Sequence, residues 1–323
     1  MHPLVSILIP CYNSEQWIGY AIESALAQTW PNKQVIVLDD GSTDDSLHVI
    51  RRYESHLRWE TGQNRGGGYA RNRLLEMASG EWVQYLDADD YLLAEKVSEQ
   101  VEFVVQHPEV DVAIGPTTME FWSEQGVRHE QITVSGPHDY WAMLASWQLP
   151  QTGAPLWKRS AILDVGGWKR DQPCCQEHEL YLRLLIGGKK FAYHSSGGSI
   201  YRQWSDQTVC KRDVPEVHRR RLEIEEKLEE FLSATGQLTQ ARRRAINQAR
   251  FEMARSAWQY DRSFAAEIMQ DVRKSDPGFS PTGAAAPSHY KLAFRAFGFN
   301  FAEGLAAAAR GARGHQPSRV ESG

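Results

Sequence analysis

The sequence predicts an α/β protein with a doubly wound, mostly parallel sheet, followed by an α-helical C-terminal extension. Two observations lead to this prediction. Short apolar, β-branched runs alternate with amphipathic helical segments over about the first 95 residues, as in strand–helix–strand units with right-handed crossovers. Beyond Pro215 the composition changes to long, charged helical segments.

The first strands are predicted from continuous apolar runs, because a parallel strand buried on both faces does not alternate. The helices are predicted from an apolar face repeating every three or four residues, with Ser14 as the N-cap of the first. The predicted strands are 4–9, 34–38, 57–60 and 82–86, and the helices between them are 14–29, 44–54 and 69–78.

Polar residues follow three of these strands. They are Pro10-Cys11-Tyr12-Asn13, Asp39-Asp40-Gly41-Ser42 and Asp87-Ala88-Asp89-Asp90. Ligands of open α/β sheets bind beyond the carboxyl ends of the strands. We therefore expect these three turns to meet at one crevice.

The second half of the chain is less regular. Helices are predicted at 95–106, 138–147 and 176–186, with strands at 110–115, 118–122 and 189–195. Helical segments continue to about 234, then at 238–260 and 263–274, and a linker marked by Pro277, Pro281 and Pro287 precedes one helix at 289–310. We expect a main domain at 1–212 with halves 1–95 and 96–212, a helical extension at 213–275, and a linker, amphipathic helix and disordered tail at 276–323.

Composition limits the function classes. The chain has 41% hydrophobic and 24% charged residues and a net charge of −5, which gives no overall reason to bind nucleic acid. The four cysteines have no zinc-ligand spacing and are expected to be reduced. The N-terminus resembles no signal peptide, and no run approaches the roughly 20 apolar residues of a membrane span. We expect a cytoplasmic protein.

The predicted helix at 289–310 is amphipathic and basic. It brings Leu292, Phe294, Phe297, Phe301 and Leu305 near one another, with Lys291 and Arg295 alongside. Such a helix either docks against the main domain or lies peripherally on the inner face of a membrane. The sequence leaves both alternatives open.

The pair Asp87 and Asp89 suggests phosphate chemistry. Two carboxylates just beyond a buried strand can share a hard divalent cation that bridges to phosphate oxygens; the alternative is a turn that caps the next helix. Asp40 offers an acceptor to a base or ribose, and Arg71 follows a glycine-rich loop where a base or phosphate could lie. Their alternatives are a helix cap and a surface ion pair.

These segments together resemble a known family. The runs VSILIPCYNSEQWIGYAIESALAQTW, VIVLDDGSTDDS and NRGGGYARNRLLEMASGEWVQYLDADD are similar to the donor half of family 2 inverting glycosyltransferases with the GT-A fold. The similarity covers about the first 95 residues in the expected order and spacing.

The resemblance implies a role for each donor-side residue. Pro10 and Tyr12 would line the nucleobase pocket with Glu15 close by, Asp40 would accept from the base, and Arg71 would lie on the base or donor. Asp87 would hold the ribose and donor sugar, with Ala88 beside it. Asp89 would ligate Mg²⁺ or Mn²⁺.

The resemblance also implies an acceptor side. The segment from Gly153 to Trp168, including Trp157, resembles the loop and glycine turn of the family. In Gln176-Glu177-His178-Glu179-Leu180 the position of the family's catalytic base falls on Glu177, while Gln176 replaces the customary first acid. Glu179, Arg202 and Trp204 are further acceptor-side candidates.

The function implied is metal-dependent, inverting transfer of a sugar from a nucleotide-diphosphate donor, expected to be a UDP-sugar. The acceptor would be a hydroxyl of a saccharide or lipid-linked molecule, in cell-surface polysaccharide or glycolipid assembly. One alternative is a non-catalytic nucleotide-sugar-binding or scaffolding module, because Gln176 departs from the family pattern. A nucleotidyltransferase is the other, although no Gly- and Lys-bearing loop follows the first strand.

Overall fold

A computed structural model describes residues 2–123, 126–132, 138–204 and 213–313. The chain forms two compact units. The first comprises Met1–Tyr140 and Gln148–Arg220, and the second comprises Trp141–Trp147 and Arg221–Gly323. The segment Trp141–Trp147 of the second unit lies within the predicted acceptor half.

The described residues contain eleven strands and twelve helices. The strands are β1 Val5–Cys11, β2 Lys33–Asp39, β3 Arg58–Thr61, β4 Trp82–Tyr85, β5 Tyr91–Leu92, β6 Val112–Ile114, β7 Thr117–Ser123, β8 Gly126–Ile132, β9 Pro155–Lys158, β10 Phe191–Tyr193 and β11 Ser199–Gln203. The helices are α1 Ile18–Leu26, α2 Ser46–Arg51, α3 Gly67–Met77, α4 Lys96–Gln106, α5 Tyr140–Ala145, α6 Arg159–Asp164, α7 Gln176–Ile186, α8 Val214–Ala234, α9 Gln240–Ala257, α10 Arg262–Ser275, α11 Ser288–Phe297 and α12 Phe299–Arg313.

The first unit is built on a seven-stranded sheet with the order β10-β6-β9-β4-β1-β2-β3. All neighbouring strands are parallel except for β9, which is antiparallel to both β4 and β6. The strand order turns at β1, since β2 lies on one side of it and β4 on the other. The continuous apolar runs form the centre of this sheet because helices cover both of its faces. The predicted α/β class with a mostly parallel sheet is confirmed.

A second, four-stranded sheet has the order β5-β11-β7-β8. The sequence predicts only β7 of these four strands. β5 is two residues long, and every residue of β8 is exposed, so neither strand carries an apolar pattern. β11 is held by its neighbours β5 and β7, which are distant in sequence.

Three local predictions are wrong. The first helix does not begin at Ser14: it starts at Ile18, and the Ser14 hydroxyl donates to the Tyr12 carbonyl oxygen instead of capping. Residues 155–158 form β9 rather than a loop. The helix predicted at 289–310 is two helices, because Gly298 has a φ of 82° and ends the first.

The second unit has its own apolar core. Phe251 of α9 and Val272 of α10 are completely buried in it, together with Phe299 of α12. The predicted linker contributes as well, since Ala286 is buried and Phe279 packs against the same cluster. In the described ranges, no helix combines the length and apolar character that crossing a membrane requires.

We predict that Gly68→Ala destabilises the first unit. Alanine normally stabilises a helix by about 1 kcal/mol relative to glycine. At position 68, however, the added methyl group would clash with the Lys169 carbonyl oxygen, and such overpacking costs about 1–3 kcal/mol. A lower urea midpoint by tryptophan fluorescence is the expected result.

Gly62→Ala is the matched control, because its methyl group would meet no atom within 4 Å. Equal midpoints for the two variants would contradict the packing described here.

Candidate functional site

A cleft of about 650 Å³ lies in the first unit, at the carboxyl ends of β1, β2 and β4. The three polar turns that follow these strands meet there, as the sequence predicts. The start of α3, the start of α7 and the end of β11 complete the lining. The lining residues are Pro10, Cys11, Tyr12, Asn13, Ser14, Asp40, Asn64, Gly66, Gly67, Ala70, Arg71, Asp87, Ala88, Asp89, Gln151, Thr152, Pro173, Cys174, Cys175, Gln176, Glu177, Tyr201, Arg202 and Trp204.

The turns after β1 and β2 are tied together by hydrogen bonds. The Asn13 side-chain oxygen accepts from the Thr43 backbone N–H at 2.8 Å, and the Asn13 N–H donates to the Ser42 hydroxyl at 2.9 Å. Glu15 accepts from the Asp45 N–H at 2.8 Å. The effect is to fix one rim of the cleft while Tyr12, which is half-exposed, faces solvent.

Asp40 holds the glycine-rich loop. Its two carboxylate oxygens accept from the backbone N–H groups of Arg65 at 3.0 Å and Gly66 at 2.8 Å. Burial raises the pKa of Asp40, while these two hydrogen bonds oppose the shift. Each oxygen retains a second lone pair, so Asp40 can hold this loop and still accept from a ligand.

Arg71 connects the two halves of the cleft. From α3 its guanidinium donates to Asp87 at 2.6 Å and to the side-chain oxygen of Gln176 at 2.6 Å. It also lies 5.1 Å from the centre of the Trp168 ring, a cation–π distance. One mostly buried cation therefore positions the carboxylate that follows β4 and the first residue of α7.

Glu177 reaches the cleft from the first turn of α7. Its carboxylate lies 3.6 Å from His178 Nδ1. Burial alone would raise the pKa of Glu177, but His178 and, more weakly, Arg71 lower it below its usual range. Glu177 is thus ionised at neutral pH and can accept a proton.

The backbone turn before α7 is unusual. Cys175, the N-cap residue, has a φ of 55°, and Asn13 has a φ of 48°. Left-handed backbone is uncommon at residues other than glycine and tends to occur at functional sites, although asparagine adopts it more readily than cysteine. Both residues line the cleft, which supports a functional role for it.

The three carboxylates after β4 have different surroundings. Asp87 pairs with Arg71, and Asp89 accepts from the Trp204 indole N–H at 3.1 Å. Asp90 is buried outside the cleft lining and accepts from the Arg202 backbone N–H at 2.8 Å. Burial and the neighbouring Asp87 raise the pKa of Asp89, so a cation would be favourable beside it.

The donor set fits a magnesium or manganese ion held mainly by its substrate. Such ions are commonly bound by one or two carboxylates together with phosphate oxygens and water. Asp89, with Asp87 nearby, supplies that number of carboxylates. Among the described residues, no three His, Cys, Asp or Glu side chains form a site that would hold a metal without a ligand.

Arg202 lies behind Asp89 and Asp90, almost completely buried. It donates to Glu120 at 3.0 Å and to the Asp89 carbonyl oxygen at 2.8 Å. Its guanidinium lies 4.4 Å from the Trp17 ring centre. Trp204 lies at the cleft edge with its ring 5.5 Å from Trp17. Arg202 thus anchors the carboxylate turn, and Trp204 is partly open to solvent.

Most of the predicted site residues meet at this cleft. The residues that line it are Pro10, Tyr12, Asp40, Arg71, Asp87, Ala88, Asp89, Glu177, Arg202 and Trp204.

Three predicted residues do not line the cleft. Glu15 supports the rim through Asp45. Trp157 is completely buried and stacks on Tyr181, so it has no surface for an acceptor. Glu179 is buried in ion pairs with Lys169 and Arg183, each at 2.7 Å.

Sequence reasoning missed several lining residues. Gln151 and Thr152 precede the motif that the family resemblance marks. For Cys174 and Cys175 the sequence pattern bears only on zinc-ligand spacing and redox state, not on a place in the cleft. These residues come to the cleft through β9 and the turn before α7, which only tertiary contacts define. Cys174 and Cys175 are buried free thiols.

Comparison with known proteins finds a family match in the first half of the chain. Residues 6–155 match the model of Glycosyl transferase family 2. Over 103 residues the chain is 38% identical to the UDP-Glc:alpha-D-GlcNAc-diphosphoundecaprenol beta-1,3-glucosyltransferase WfaP of Escherichia coli, covering 31% of this chain and 41% of that protein. The matching segments span between 41% and 57% of the length of three curated relatives.

Two solved structures share the fold. Residues 1–349 of Staphylococcus aureus TarS, in complex with UDP-GlcNAc, align with a TM-score of 0.56 and 17% identity, covering 84% of this chain and 88% of that one. The mannosyltransferase PcManGT of Pyrobaculum calidifontis, with GDP-Man and Mn²⁺, aligns with a TM-score of 0.52 and 18% identity, covering 98% and 89%. The predicted GT-A fold is confirmed.

We predict a pH-dependent contribution of Glu120 to stability. Burial alone would raise the pKa of Glu120, but hydrogen bonds from Tyr91, Trp122 and Arg202 lower it to about 2. A carboxyl whose pKa is depressed on folding stabilises the native state above its unfolded pKa and loses that contribution as pH falls. The contribution is on the order of 3 kcal/mol at pH 7 and disappears between about pH 4.5 and pH 2.

The measurement is the urea midpoint of wild type and Glu120→Gln at pH 7, 4 and 3. The gap between the two proteins should narrow as pH falls. The control is Glu130→Gln. Glu130 forms an exposed ion pair with Arg128 on β8, the strand next to the one that carries Glu120, so this change should alter the urea midpoint little at any pH. A gap that stays constant with pH would contradict the depressed pKa.

Proposed function

Residues 6–155 of this chain belong to glycosyl transferase family 2, and on that premise we propose that the protein is an inverting glycosyltransferase. It transfers a sugar from a nucleotide-diphosphate donor to an acceptor hydroxyl. The main supporting observation is the convergence of Asp40, Arg71, Asp87 and Asp89 with Glu177 at one cleft. Groups suited to hold a nucleotide diphosphate thus lie beside an ionised carboxylate that can act as a base.

The nucleotide would lie against the turns after β1 and β2. Tyr12 offers an exposed aromatic ring, and Asp40 offers an acceptor at the base of the cleft. A UDP-sugar is the first donor to test, since the name of WfaP specifies UDP-Glc and the TarS structure holds UDP-GlcNAc. GDP-Man belongs in the same test because PcManGT binds it.

Asp89 would hold Mg²⁺ or Mn²⁺ with the diphosphate. When bound, the metal would supply positive charge that stabilises the leaving nucleotide diphosphate. Arg71 would hold Asp87 in place for the donor, because its guanidinium already pairs with that carboxylate.

Glu177 would act as the general base. It would take the proton from the acceptor hydroxyl as that oxygen attacks the anomeric carbon, and the bond to the nucleotide diphosphate would break in the same displacement. One displacement inverts the anomeric configuration. The side chain lines the cleft, and its lowered pKa favours the ionised form that can accept a proton.

The acceptor would enter beside Trp204, with Arg202 anchoring the carboxylate turn behind it. Trp204 combines an exposed aromatic face with a hydrogen bond to Asp89, so a sugar ring on this face would lie next to the donor carboxylates. A saccharide or lipid-linked acceptor fits the names of the relatives, which include α-D-GlcNAc-diphosphoundecaprenol for WfaP. Assembly of a cell-surface polysaccharide or glycolipid would be the setting of this reaction.

The test uses purified full-length chain with Mn²⁺ and a short-chain α-D-GlcNAc-diphosphoryl lipid as acceptor. UDP-Glc, UDP-GlcNAc and GDP-Man are offered separately, and products are identified by mass and by the anomeric coupling in NMR. A β-linked product from an α-linked UDP-sugar is expected. An α-linked product would contradict the single displacement, and donor binding without any product would favour the non-catalytic module.

We predict that Glu177→Gln lowers kcat by about 10²–10⁴-fold, since that is the usual contribution of a general base. Binding of the donor should stay within about twofold, because Glu177 faces the acceptor side. The measurements are steady-state turnover and calorimetric titration of the nucleotide-sugar.

Glu179→Gln on the same helix is the comparison. Glu179 pairs with Lys169 and Arg183 away from the cleft. Its loss should therefore lower the melting temperature and leave the kcat of the folded protein almost unchanged. If Glu179→Gln lost as much kcat as Glu177→Gln while remaining folded, the assignment of the base would be wrong.

We predict that Gln176→Glu moves the acidic limb of the pH profile of kcat/KM upward by about one pH unit. A carboxylate at position 176 would share Arg71 and repel Glu177, and a nearby like charge raises a carboxyl pKa. The base would then become protonated at a higher pH. Gln176→Leu removes the contact without adding charge and should leave the limb in place; a limb unchanged in Gln176→Glu would contradict the coupling.

A further inference from the structure

Four large apolar side chains of α11 and α12 are exposed in the second unit. They are Leu292, Phe297, Phe301 and Leu305, with 71%, 68%, 47% and 52% of their surface exposed. We call these four residues the C-terminal apolar patch. Within the described part of the second unit, Tyr260 alone among the other large hydrophobic residues is exposed.

The core of the second unit does not need this patch. Other residues of the same helices already supply core side chains, namely Tyr290, Phe299 and Ala302. Two of the patch side chains contact each other, since the rings of Phe297 and Phe301 lie 4.6 Å apart. Leu305 follows Phe301 by one helical turn and so extends the same face. These helices therefore carry large apolar side chains that the core of the second unit does not bury.

The exposed charges on the segment that carries the patch have one sign. Lys291 and Arg295 lie on α11 one turn apart, and neither forms an ion pair within the described ranges. The single acid between positions 288 and 309 is Glu303, which is completely buried and paired with Arg255. A chain with a net charge of −5 thus presents basic and apolar side chains together on this segment.

We propose that the C-terminal apolar patch binds the surface of a membrane that contains anionic lipids. Exposed aromatic and aliphatic side chains would enter the region between headgroups and acyl chains, while Lys291 and Arg295 would contact the phosphates. With α11 and α12 only 10 and 15 residues long, the segment lies on the membrane rather than across it.

The same charges disfavour a second copy of the chain as the occupant. A two-fold symmetric dimer places the same surface of each copy against the other. Burying the patch in this way would bring the basic side chains of both copies into one interface without acids from this segment to pair them. Anionic lipid supplies the missing negative charge.

The test is sedimentation of the full chain with vesicles of phosphatidylcholine alone and of phosphatidylcholine with 30% phosphatidylglycerol. Binding to the anionic vesicles that weakens with salt is expected. Near an anionic surface each lost basic charge weakens binding about fivefold, and reversal weakens it further. Lys291→Glu with Arg295→Glu should therefore weaken binding at least 25-fold by that arithmetic.

The double variant Phe297→Ser with Phe301→Ser tests the apolar contribution. It should no longer sediment with the anionic vesicles. Since these rings are exposed, circular dichroism should show both double variants folded. Matched controls are Lys227→Glu with Arg244→Glu for exposed charge in the same unit, and Val105→Ser for an exposed apolar side chain elsewhere. Both controls should bind as wild type does.

Three results would overturn the proposal. The wild-type chain does not bind the anionic vesicles, or the two double variants of the patch bind them as well as wild type does. The third is a wild-type dimer in light scattering that the patch variants disrupt and the control variants do not. None of these depends on transferase activity, so the proposed function and the membrane surface are tested separately.

Discussion

The cleft depends on one buried guanidinium, that of Arg71. It joins Asp87 after β4 to Gln176 at the start of α7, two elements that are far apart in sequence. A buried charge is tolerated only when paired and hydrogen-bonded, so Asp87 and α7 must be in place for Arg71 to be stable. The side chain that fixes the donor carboxylate thereby also fixes the base, Glu177, one residue beyond Gln176.

Arg202 plays the corresponding part on the other side of the cleft. Its pairing with Glu120 and its hydrogen bonds to the Asp89–Asp90 turn join the small sheet to the end of β4. Two arginines therefore hold the carboxylate turn from opposite sides. Asp89 lines the cleft, has a raised pKa and accepts from the partly exposed Trp204, which suits it to a cation and a sugar.

Much of this arrangement follows from local sequence. Continuous apolar runs predict β1, β2 and β4, and the polar turns after them predict the cleft. The helix predicted at 176–186 matches α7 in both limits. The ion pair of Glu179 with Arg183 was predictable too, since Arg183 follows it by one helical turn, the spacing of a helical ion pair. The burial of Trp157 was not predictable, because only the pairing of β9 with β4 and β6 shows that its ring lies in the core.

What the sequence could not predict arises from contacts between distant segments. The four-residue β9 and the exposed β8 have too little apolar pattern to be recognised, and Gly298 breaks a helix that otherwise reads as continuous. Gln176 is the instructive residue: as a departure from the family pattern it weakens the prediction of catalysis. In the structure its side-chain oxygen accepts from Arg71, where a carboxylate would place a second negative charge beside Glu177.

The central claim is that the cleft binds a nucleotide-sugar with a divalent metal through Asp89. The most direct measurement is the thermal shift of the chain with UDP-Glc, UDP-GlcNAc or GDP-Man in the presence of Mn²⁺ or of EDTA. A ligand at 100 times its Kd stabilises the folded state by about 2.7 kcal/mol. The account predicts a rise in melting temperature with one of these donors that EDTA and Asp89→Asn both abolish. A folded protein with no shift for any donor, or a shift unaffected by Asp89→Asn, would contradict it.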